Sequence, residues 1–243
     1  MAIEIKPLEQ FTIERIVPIH LGRLDLSFTN ASLLMVLAAV AVWALVVLGT
    51  RRAALVPGRW QSIAEMSYEF VADMIETNAG HGGMAFFPFV FTLFMFILLG
   101  NLLGLVPYSF TFTSHFIVTF ALAAVVFLGV TAIGIARHGL HFLKLFVPSG
   151  VPVVLLLLVP IELLSYFIRP FTLSIRLFAN MLAGHIMLAI FAGFAASVPL
   201  LFGILPMGVD VLLFFLELLV AVLQAYVFAI LTCLYLRDAL HLH

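Results

Sequence analysis

The chain has 243 residues, of which 65% are hydrophobic and 9% charged, and its formal net charge is −1. Its mean hydropathy is +1.26. Soluble domains carry about 25% charged residues, so this composition excludes an ordinary soluble protein and predicts a polytopic membrane protein. The single cysteine, Cys233, excludes an internal disulfide and a multi-cysteine metal site. We expect no metal and no cofactor.

Residues 1–28 are expected to form a polar N-terminal arm, followed by a single polytopic membrane domain over 29–243. The arm is too polar and too mixed in charge for a signal peptide. The first hydrophobic helix, at about 31–50, is therefore expected to stay in the mature protein and to serve as its insertion signal.

A different kind of helix is predicted at about 58–78. Its apolar residues recur at helical spacing, while four acids, Glu65, Glu69, Asp73 and Glu76, fall mostly on another face. This pattern is typical of an amphipathic helix at the membrane interface. Helices that bind the membrane surface usually carry Lys and Arg on the polar face, so we expect this helix to pack on protein or to face water.

Hydropathy predicts four further membrane helices, at about 84–107, 114–137, 151–196 and 199–238. The fold class is thus an all-α integral membrane protein with five membrane helices and one interfacial helix. At 1.5 Å per residue the last two helices would span nearly 70 Å and roughly 60 Å, against a hydrocarbon core of about 30 Å.

Ordinary helix tilts of about 20° cannot absorb this excess length. Pro152, Pro160 and Pro170 can kink or break the earlier helix, yet no breaker follows Pro170 before Pro199. We therefore expect residues 151–238 to form a steeply inclined hairpin, a shape that suits a surface wrapped around another membrane object.

Basic residues predict the orientation of the chain. They follow the first, third and last membrane helices, whereas the loops at 108–113 and 196–199 carry none. The positive-inside rule therefore places the N-terminus outside and the C-terminus on the cytoplasmic or matrix side. The basic residues of the arm count against this orientation. The residues on the inner side are Arg51, Arg52, Arg59, Arg137, Lys144 and Arg237, and those of the arm are Lys6, Arg15 and Arg23.

Five charged residues lie inside the last two predicted helices, away from their ends: Glu162, Arg169, Arg176, Asp210 and Glu217. The first three repeat every seven residues, and so do Asp210, Glu217 and Gln224. A seven-residue step drifts by only about 20° around a helix, so each set shares one face. Charged residues inside membrane helices usually face a protein interior or a water-filled cavity. Two such stripes on paired helices predict a pathway.

Arg176 is a permanent positive charge, and a charge at the bilayer centre costs at least ~2.5–3.5 kcal/mol on insertion scales. Asn180 lies one turn further on the same face, whereas His185, nine residues on, points to the opposite side. There His185 can meet Glu217, and a pair of titratable groups suits proton transfer. In an alternative, structural interpretation, Arg176 pairs internally with Glu162, Asp210 or Glu217.

Other polar or small residues also have structural interpretations. Arg169, directly before Pro170, can belong to local structure, and Asp210 can lie at the membrane interface. Gly100 and Gly104 have the GxxxG spacing, which indicates close helix packing.

Three stretches of the chain resemble subunit a of the F-type rotary ATP synthases. The first is Leu173-Ser174-Ile175-Arg176-Leu177-Phe178-Ala179-Asn180-Met181-Leu182-Ala183-Gly184-His185, and the others are Asn101-Leu102-Leu103-Gly104-Leu105-Val106-Pro107 and Gln224-Ala225-Tyr226-Val227-Phe228. Pro7-Leu8-Glu9-Gln10-Phe11 also resembles the start of some members. The resemblance extends over nearly the whole chain and preserves the order of the motifs.

This resemblance implies a function for each matching position. Arg176 matches the essential arginine that faces the ring of c subunits, and Asn180 and Gln224 match its polar neighbours. Glu162 matches the carboxylate of the half-channel on the cytoplasmic or matrix side. His185 and Glu217 match the pair in the opposite half-channel, in the order typical of the mitochondrial form and its bacterial relatives. Asp210 has no counterpart in the mitochondrial pattern.

The resemblance implies a non-catalytic stator subunit of the Fo sector, which couples proton translocation to rotation of the c-ring. Its expected partners are the c-ring, peripheral-stalk subunit b, the rest of the synthase and the bilayer, and no nucleic acid. A bacterial inner membrane is favoured over a mitochondrial one. Two other classes remain as alternatives: a stand-alone proton channel or secondary transporter, which often shows internal repeats, and a structural membrane scaffold. Nucleotide chemistry is expected on another chain, because no P-loop motif occurs here.

Overall fold

A computed structural model describes residues 12–18, 20–21, 24–25, 27–51, 54, 56–106, 109–139, 142, 152–197 and 200–240. These contain six α-helices: α1 (Asn30–Thr50), α2 (Arg59–Ala79), α3 (Phe87–Gly104), α4 (Phe116–His138), α5 (Pro152–Ser197) and α6 (Leu200–Leu240). Short 3-10 helices cover His81–Phe86 and Phe112–Ser114. All the α-helices except α2 are long and apolar enough to cross a membrane. The prediction of an all-α membrane protein with five membrane helices and one amphipathic helix is confirmed.

Some residues used in the sequence analysis lie outside the described residues. They are Lys6, Arg23, Arg52, Lys144, Pro107, Pro199 and the segment 7–11. The orientation of the chain stays a prediction.

Four short strands occupy the N-terminal arm, a feature that the sequence analysis did not predict. Strand β1 (Arg15–Val17) pairs antiparallel with β4 (Phe28–Thr29), and β2 (His20–Leu21) pairs antiparallel with β3 (Leu24–Asp25). In the outer pair Arg15 lies opposite Thr29, with an irregularity before Val17 meets Phe28. The arm thus returns to the start of α1.

The first turn of α1 is capped by two hydroxyl side chains. The backbone N–H of Ser32 donates to Thr29 Oγ1 at 3.4 Å, and the backbone N–H of Thr29 donates to Ser32 Oγ at 2.8 Å. This reciprocal pair satisfies donors that an α-helix leaves unpaired at its N-terminus. Asn30 also donates from Nδ2 to the Thr12 carbonyl at 3.1 Å, which ties the arm to the helix.

Helix α2 packs on protein through one face. Val71 and Ile75 on that face are fully buried, whereas the four acids of the sequence prediction, at positions 65, 69, 73 and 76, are exposed. The segregation of apolar and acidic side chains agrees with the predicted amphipathic helix. Near the start of α2, the side chain of Gln61 forms two hydrogen bonds with the Ala54 backbone: it donates to the carbonyl at 3.0 Å and accepts from the N–H at 3.1 Å.

Helices α5 and α6 are unbroken over 46 and 41 residues. Pro152 occupies the first helical position, where its missing N–H costs little. Pro160, Pro170 and Pro206 lie inside the helices without ending them. At 1.5 Å per residue both helices are about twice as long as the hydrocarbon core is thick. The excess length is confirmed, and the inclination to the membrane stays a prediction.

The chain divides into two compact units. Unit 1 comprises Met1–Val46, Met95–His115 and Leu177–Ala225, and unit 2 comprises Val47–Phe94, Phe116–Arg176 and Tyr226–His243. Four of the helices, α1, α3, α5 and α6, contribute residues to both units. The expected single membrane domain stays a prediction.

Candidate functional site

In unit 1 the His185 ring contacts the Glu217 carboxylate. Nδ1 of His185 on α5 meets Oε1 of Glu217 on α6. The two side chains are only 10% and 2% exposed. Periodicity predicted that these residues can meet, and the structure shows the contact.

Both ring nitrogens of His185 face hydrogen-bond acceptors. On one side, Nδ1 faces the Glu217 carboxylate and, at 3.1 Å, the Met181 carbonyl. On the other side, Nε2 lies 3.1 Å from the Gly104 carbonyl and 2.7 Å from Thr111 Oγ1. A neutral imidazole has one N–H, whereas the doubly protonated ring donates on both sides. The geometry therefore suits a His185 ring that carries a proton on each nitrogen.

Thr111 is oriented by the end of helix α3. Its hydroxyl donates to the Gly104 carbonyl at 3.2 Å, so its oxygen remains an acceptor for Nε2–H of His185. A Cβ on Gly104 would lie 2.6 Å from Thr111 Oγ1, well inside normal contact distance. The absence of a side chain at position 104 thus makes room for the hydroxyl that holds His185.

Gly100 and Gly104, which have the GxxxG spacing, contact a loop and not a second helix. A Cβ on Gly100 would collide with the ring of Phe112, and one on Gly104 with Thr111. Both partners belong to the segment that returns from α3, including its short 3-10 helix. The two glycines therefore admit a loop against α3, where the sequence analysis expected packing between two helices.

Glu217 is enclosed almost completely. Gly184 lies directly over its carboxylate, since a Cβ there would be 2.8 Å from Oε1 and 2.9 Å from Cδ. Oε2 of Glu217 is buried and has no hydrogen-bond partner among the residues that the structure describes. A buried carboxylate oxygen without a partner is costly, so this atom needs a proton or a water molecule.

A cavity of about 480 Å³ in unit 1 reaches this pair. Its lining includes His185 from α5, Asp210 from α6, and Gly104 and Ser109 from the end of α3 and the following segment. One water molecule needs only ~10–15 Å³ of such volume. The cavity can therefore hold a chain of water molecules beside His185.

The polar stripe predicted on α6, formed by Asp210, Glu217 and Gln224, lies in unit 1. Glu217 and Gln224 are buried, the latter 4% exposed, and Asp210 is half-buried. Gln224 was expected to face a partner ring, and the structure places it among residues of its own unit. Its predicted functional role is not tested by this placement.

Arg176 has the opposite environment, on an apolar and exposed part of α5. Its neighbours Phe171 and Ile175 are 47% and 50% exposed, and Arg176 itself is exposed. Among the described residues of unit 2, no carboxylate lies within ion-pair distance of its guanidinium. An internal ion pair with Glu162, one of the structural alternatives, is therefore not formed.

Two further predicted residues, Asn180 and Glu162, belong to different units. Asn180, on the unit 1 part of α5, is exposed. Glu162, in unit 2, is half-buried and forms no ion pair with the described residues of that unit.

Arg169 belongs to an ion pair in unit 2. Its Nη1 donates to Asp238 Oδ2 at 2.9 Å. Its guanidinium carbon also lies 5.7 and 5.1 Å from the ring centroids of Tyr166 and Tyr235, within the range of cation–π attraction. This environment agrees with the interpretation of Arg169 as a structural residue.

Sequence reasoning missed Thr111 and Asp238. Thr111 carries no charge and lies in a segment between helices, and only the nearby Gly104 of a quoted motif pointed to this region. Asp238 follows Arg237 near the end of α6, where acids are commonplace on a wet surface. Neither position has a local signal that reveals its distant partner.

The fold and the site together define a class: a polytopic α-helical membrane protein with a buried histidine–carboxylate pair beside a cavity that can hold several water molecules. It also has an exposed arginine without a counter-charge among the described residues of its own unit. Residues 32–237 match the family model described as ATP synthase A chain. The chain is 57% identical to the ATP synthase subunit a of Parvibaculum lavamentivorans, over 98% of this chain and 94% of that one. It is 57% identical to the subunit a of Mesorhizobium japonicum, over 99% and 98%, and 53% identical to that of Rhodospirillum rubrum, over 98% and 99%.

The chain belongs to the ATP synthase A chain family. It is an integral membrane, proton-conducting stator subunit of the Fo sector, without catalytic activity of its own. The bacterial relatives support the plasma membrane of a bacterium as its location. A stand-alone transporter is not favoured.

Proposed function

We propose that His185 and Glu217 form the proton-transfer site of the outer-side half-channel, and that Arg176 faces the c-ring. Glu162 then belongs to the half-channel on the cytoplasmic side, with Asn180 and Gln224 near the arginine. The N-terminus lies outside the membrane and the C-terminus lies in the cytoplasm. Subunit b and the c-ring are the expected neighbours of the chain.

The observation that carries this proposal is the contrast between the two charged sites. The pair in unit 1 is buried, mutually neutralising and next to a cavity. Arg176 is exposed on an apolar surface, without a counter-charge among the described residues of unit 2. In a membrane such an arginine needs a carboxylate from another chain, and a c-ring carboxylate that arrives in turn meets this need.

The proposed mechanism distinguishes groups that can exchange a proton from Arg176, which keeps its proton. Protons from the outer side pass His185 and Glu217 and neutralise a c-ring carboxylate, which then turns through lipid at low cost because it carries no charge. On its return the site loses its proton toward Glu162. Arg176 favours the ionised carboxylate by opposite charge and, as a group that keeps its proton, blocks direct flow between the half-channels.

The first test is Arg176→Ala in the complete synthase, assayed for ATP synthesis driven by a proton gradient in membrane vesicles. We expect an assembled complex without coupled synthesis. Arg237→Ala, which removes an exposed arginine at the end of α6, is the matched control and should leave the rate near that of the unmodified protein. Normal coupled synthesis by the Arg176 variant would refute the proposed gate.

The second test exchanges the members of the buried pair. His185→Glu and Glu217→His should each lose most proton conduction, because each places two like groups in contact. The double exchange restores one acid and one imidazole, so it should recover more activity than the two single losses predict. Losses that simply add would show that the residues act independently.

A further inference from the structure

Asp210 lines the same cavity as His185. It takes part neither in the contact between His185 and Glu217 nor in the one between His185 and Thr111. It lies on α6, seven residues before Glu217, which is about 10.5 Å along the helix axis and nearly the same angular position. Both Asp210 and His185 line the cavity of about 480 Å³. Neighbouring water molecules in a hydrogen-bonded chain lie about 2.8 Å apart, so a few of them cover a distance of about 10 Å inside this cavity.

One oxygen of the Asp210 carboxylate lacks a structural partner among the described residues. Oδ1 is buried without a hydrogen-bond partner among the described residues, and no described basic side chain of unit 1 lies within ion-pair distance. A salt-bridge or capping role would require such a partner. An unpartnered, buried carboxylate oxygen is costly, so a water molecule or a bound proton must satisfy it.

We infer that Asp210 is an additional proton-transfer residue of the outer-side path, which takes protons from the outer solution and passes them to Glu217. This inference rests on the proposed half-channel at His185 and Glu217. In the step, the O–H bond of protonated Asp210 breaks and its electron pair stays on the carboxylate. The proton moves along hydrogen-bonded water molecules of the cavity to His185, which lines it, and forms an N–H bond on the ring. In exchange, the Nδ1–H bond of His185 breaks and an O–H bond forms on the Glu217 carboxylate that Nδ1 contacts. Asp210 then regains a proton from the outer solution.

A purely structural role for Asp210 makes different predictions from a proton-transfer role. Asp210→Asn keeps the size and polarity of the side chain but removes the exchangeable acid. Asp210→Glu keeps the acid, and the cavity has room for one more methylene group. In addition, a small weak acid such as formic acid fits the cavity and can carry the proton in place of the missing carboxyl group. Rescue by formate is not expected for a structural defect.

The experiment uses the complete synthase in proteoliposomes, with ATP synthesis driven by a potassium diffusion potential at equal pH on both sides. Formic acid then equilibrates without collapsing the driving force. We expect Asp210→Asn to lower the rate about three- to tenfold. This loss is smaller than the ~10²–10⁴-fold effect typical of a positioned acid–base group, because water in the cavity still reaches His185.

Asp210→Glu should retain at least about half of the rate, and formate should restore the Asp210→Asn variant while leaving the unmodified protein unchanged. Ser197→Ala, which removes a hydroxyl from an exposed position on α5 outside the cavity lining, is the control. An unchanged rate in Asp210→Asn, or a loss that formate does not restore, would overturn the inference.

Glu217→Gln in the same assay separates this inference from the proposal on which it rests. A Glu217→Gln variant without synthesis, together with a fully active Asp210→Asn variant, would refute only the role of Asp210. A Glu217→Gln variant with normal synthesis would refute the half-channel itself.

Discussion

Gly184 on α5 lies directly against the carboxylate of Glu217 on α6, so closely that a Cβ at position 184 would be 2.8 Å from Oε1. The carboxylate and the histidine that pairs with it are thus positioned by a residue without a side chain. Gly184 and His185, which are adjacent in the motif that begins at Leu173, thus both contact Glu217 on the following helix.

We expect Gly184→Ala to displace the Glu217 carboxylate and weaken its contact with His185. The end of a side chain can move more easily than a backbone, so the complex should still assemble. Proton conduction should fall at least about tenfold, less than the ~10²–10⁴-fold effect of a positioned acid–base group, because the carboxylate is displaced and not removed. Passive proton conduction through vesicles stripped of the catalytic sector measures this loss.

Gly208→Ala is the matched control for that substitution. Nothing lies within 4 Å of a Cβ at position 208, and alanine favours helix over glycine by about 1 kcal/mol. Conduction should therefore stay normal and stability should not fall. Equal losses at the two positions would contradict the specific role of Gly184.

Thr111→Val tests the hydrogen bond that orients the His185 ring. The substitution keeps the shape of the side chain but removes the hydroxyl between Gly104 and Nε2. Nε2 keeps the Gly104 carbonyl as an acceptor at 3.1 Å. We therefore expect a cost near the lower end of the about 1–3 kcal/mol for a buried group that loses its partner, which corresponds to about a fivefold fall in conduction. Thr111→Ser retains the hydroxyl and should stay within about twofold of the unmodified rate. If valine and serine behave alike, the hydroxyl does not position the ring.

Asn101 tests how α3 holds α6 near Glu217. Its Nδ2 donates to the Ala221 carbonyl at 3.1 Å, one turn after Glu217, while its Oδ1 is buried without a partner among the described residues. Asn101→Asp replaces the donor by a second acceptor and adds a buried charge, so it should prevent assembly. Asn101→Leu removes both polar atoms and should cost only about 1 kcal/mol. Native gel electrophoresis and the thermal midpoint of the complex measure the difference; a well-assembled aspartate variant would count against this account.

Arg169 and Asp238 are predicted to stabilise unit 2 as a pair. The side chains are 27% and 44% exposed, so we expect a coupling energy between them of only about 0.5–1 kcal/mol. In a double-mutant cycle, the Arg169→Gln, Asp238→Asn double variant should lose no more thermal stability than Arg169→Gln alone, which also removes the cation–π contacts. Additive losses would mean that the two residues do not interact in the complex.

The hydropathy and periodicity of the sequence were sufficient to predict the five membrane helices, the amphipathic α2 and the excess length of α5 and α6. Each of these properties depends on residues close together in the chain. The spacing of nine residues between Arg176 and His185 also indicated that the two point in opposite directions, and the exposed arginine and the buried histidine agree with this. The short strands of the arm were missed, because so few residues form them that no alternation can be detected.

Only the tertiary structure decided which residues complete the site. Thr111 and His185 are 74 residues apart, and Asn101 and Ala221 are 120 apart. The first contact depends on how the loop after α3 packs against Gly100 and Gly104, and the second on how α3 packs against α6. No local pattern encodes either arrangement. The same holds for the burial of Gln224 and for the partner of Arg169. The sequence by itself determined the helices and the side chains that each face carries, because helical periodicity is local. Packing determined which of those faces meet, because contacts between distant segments depend on the whole fold.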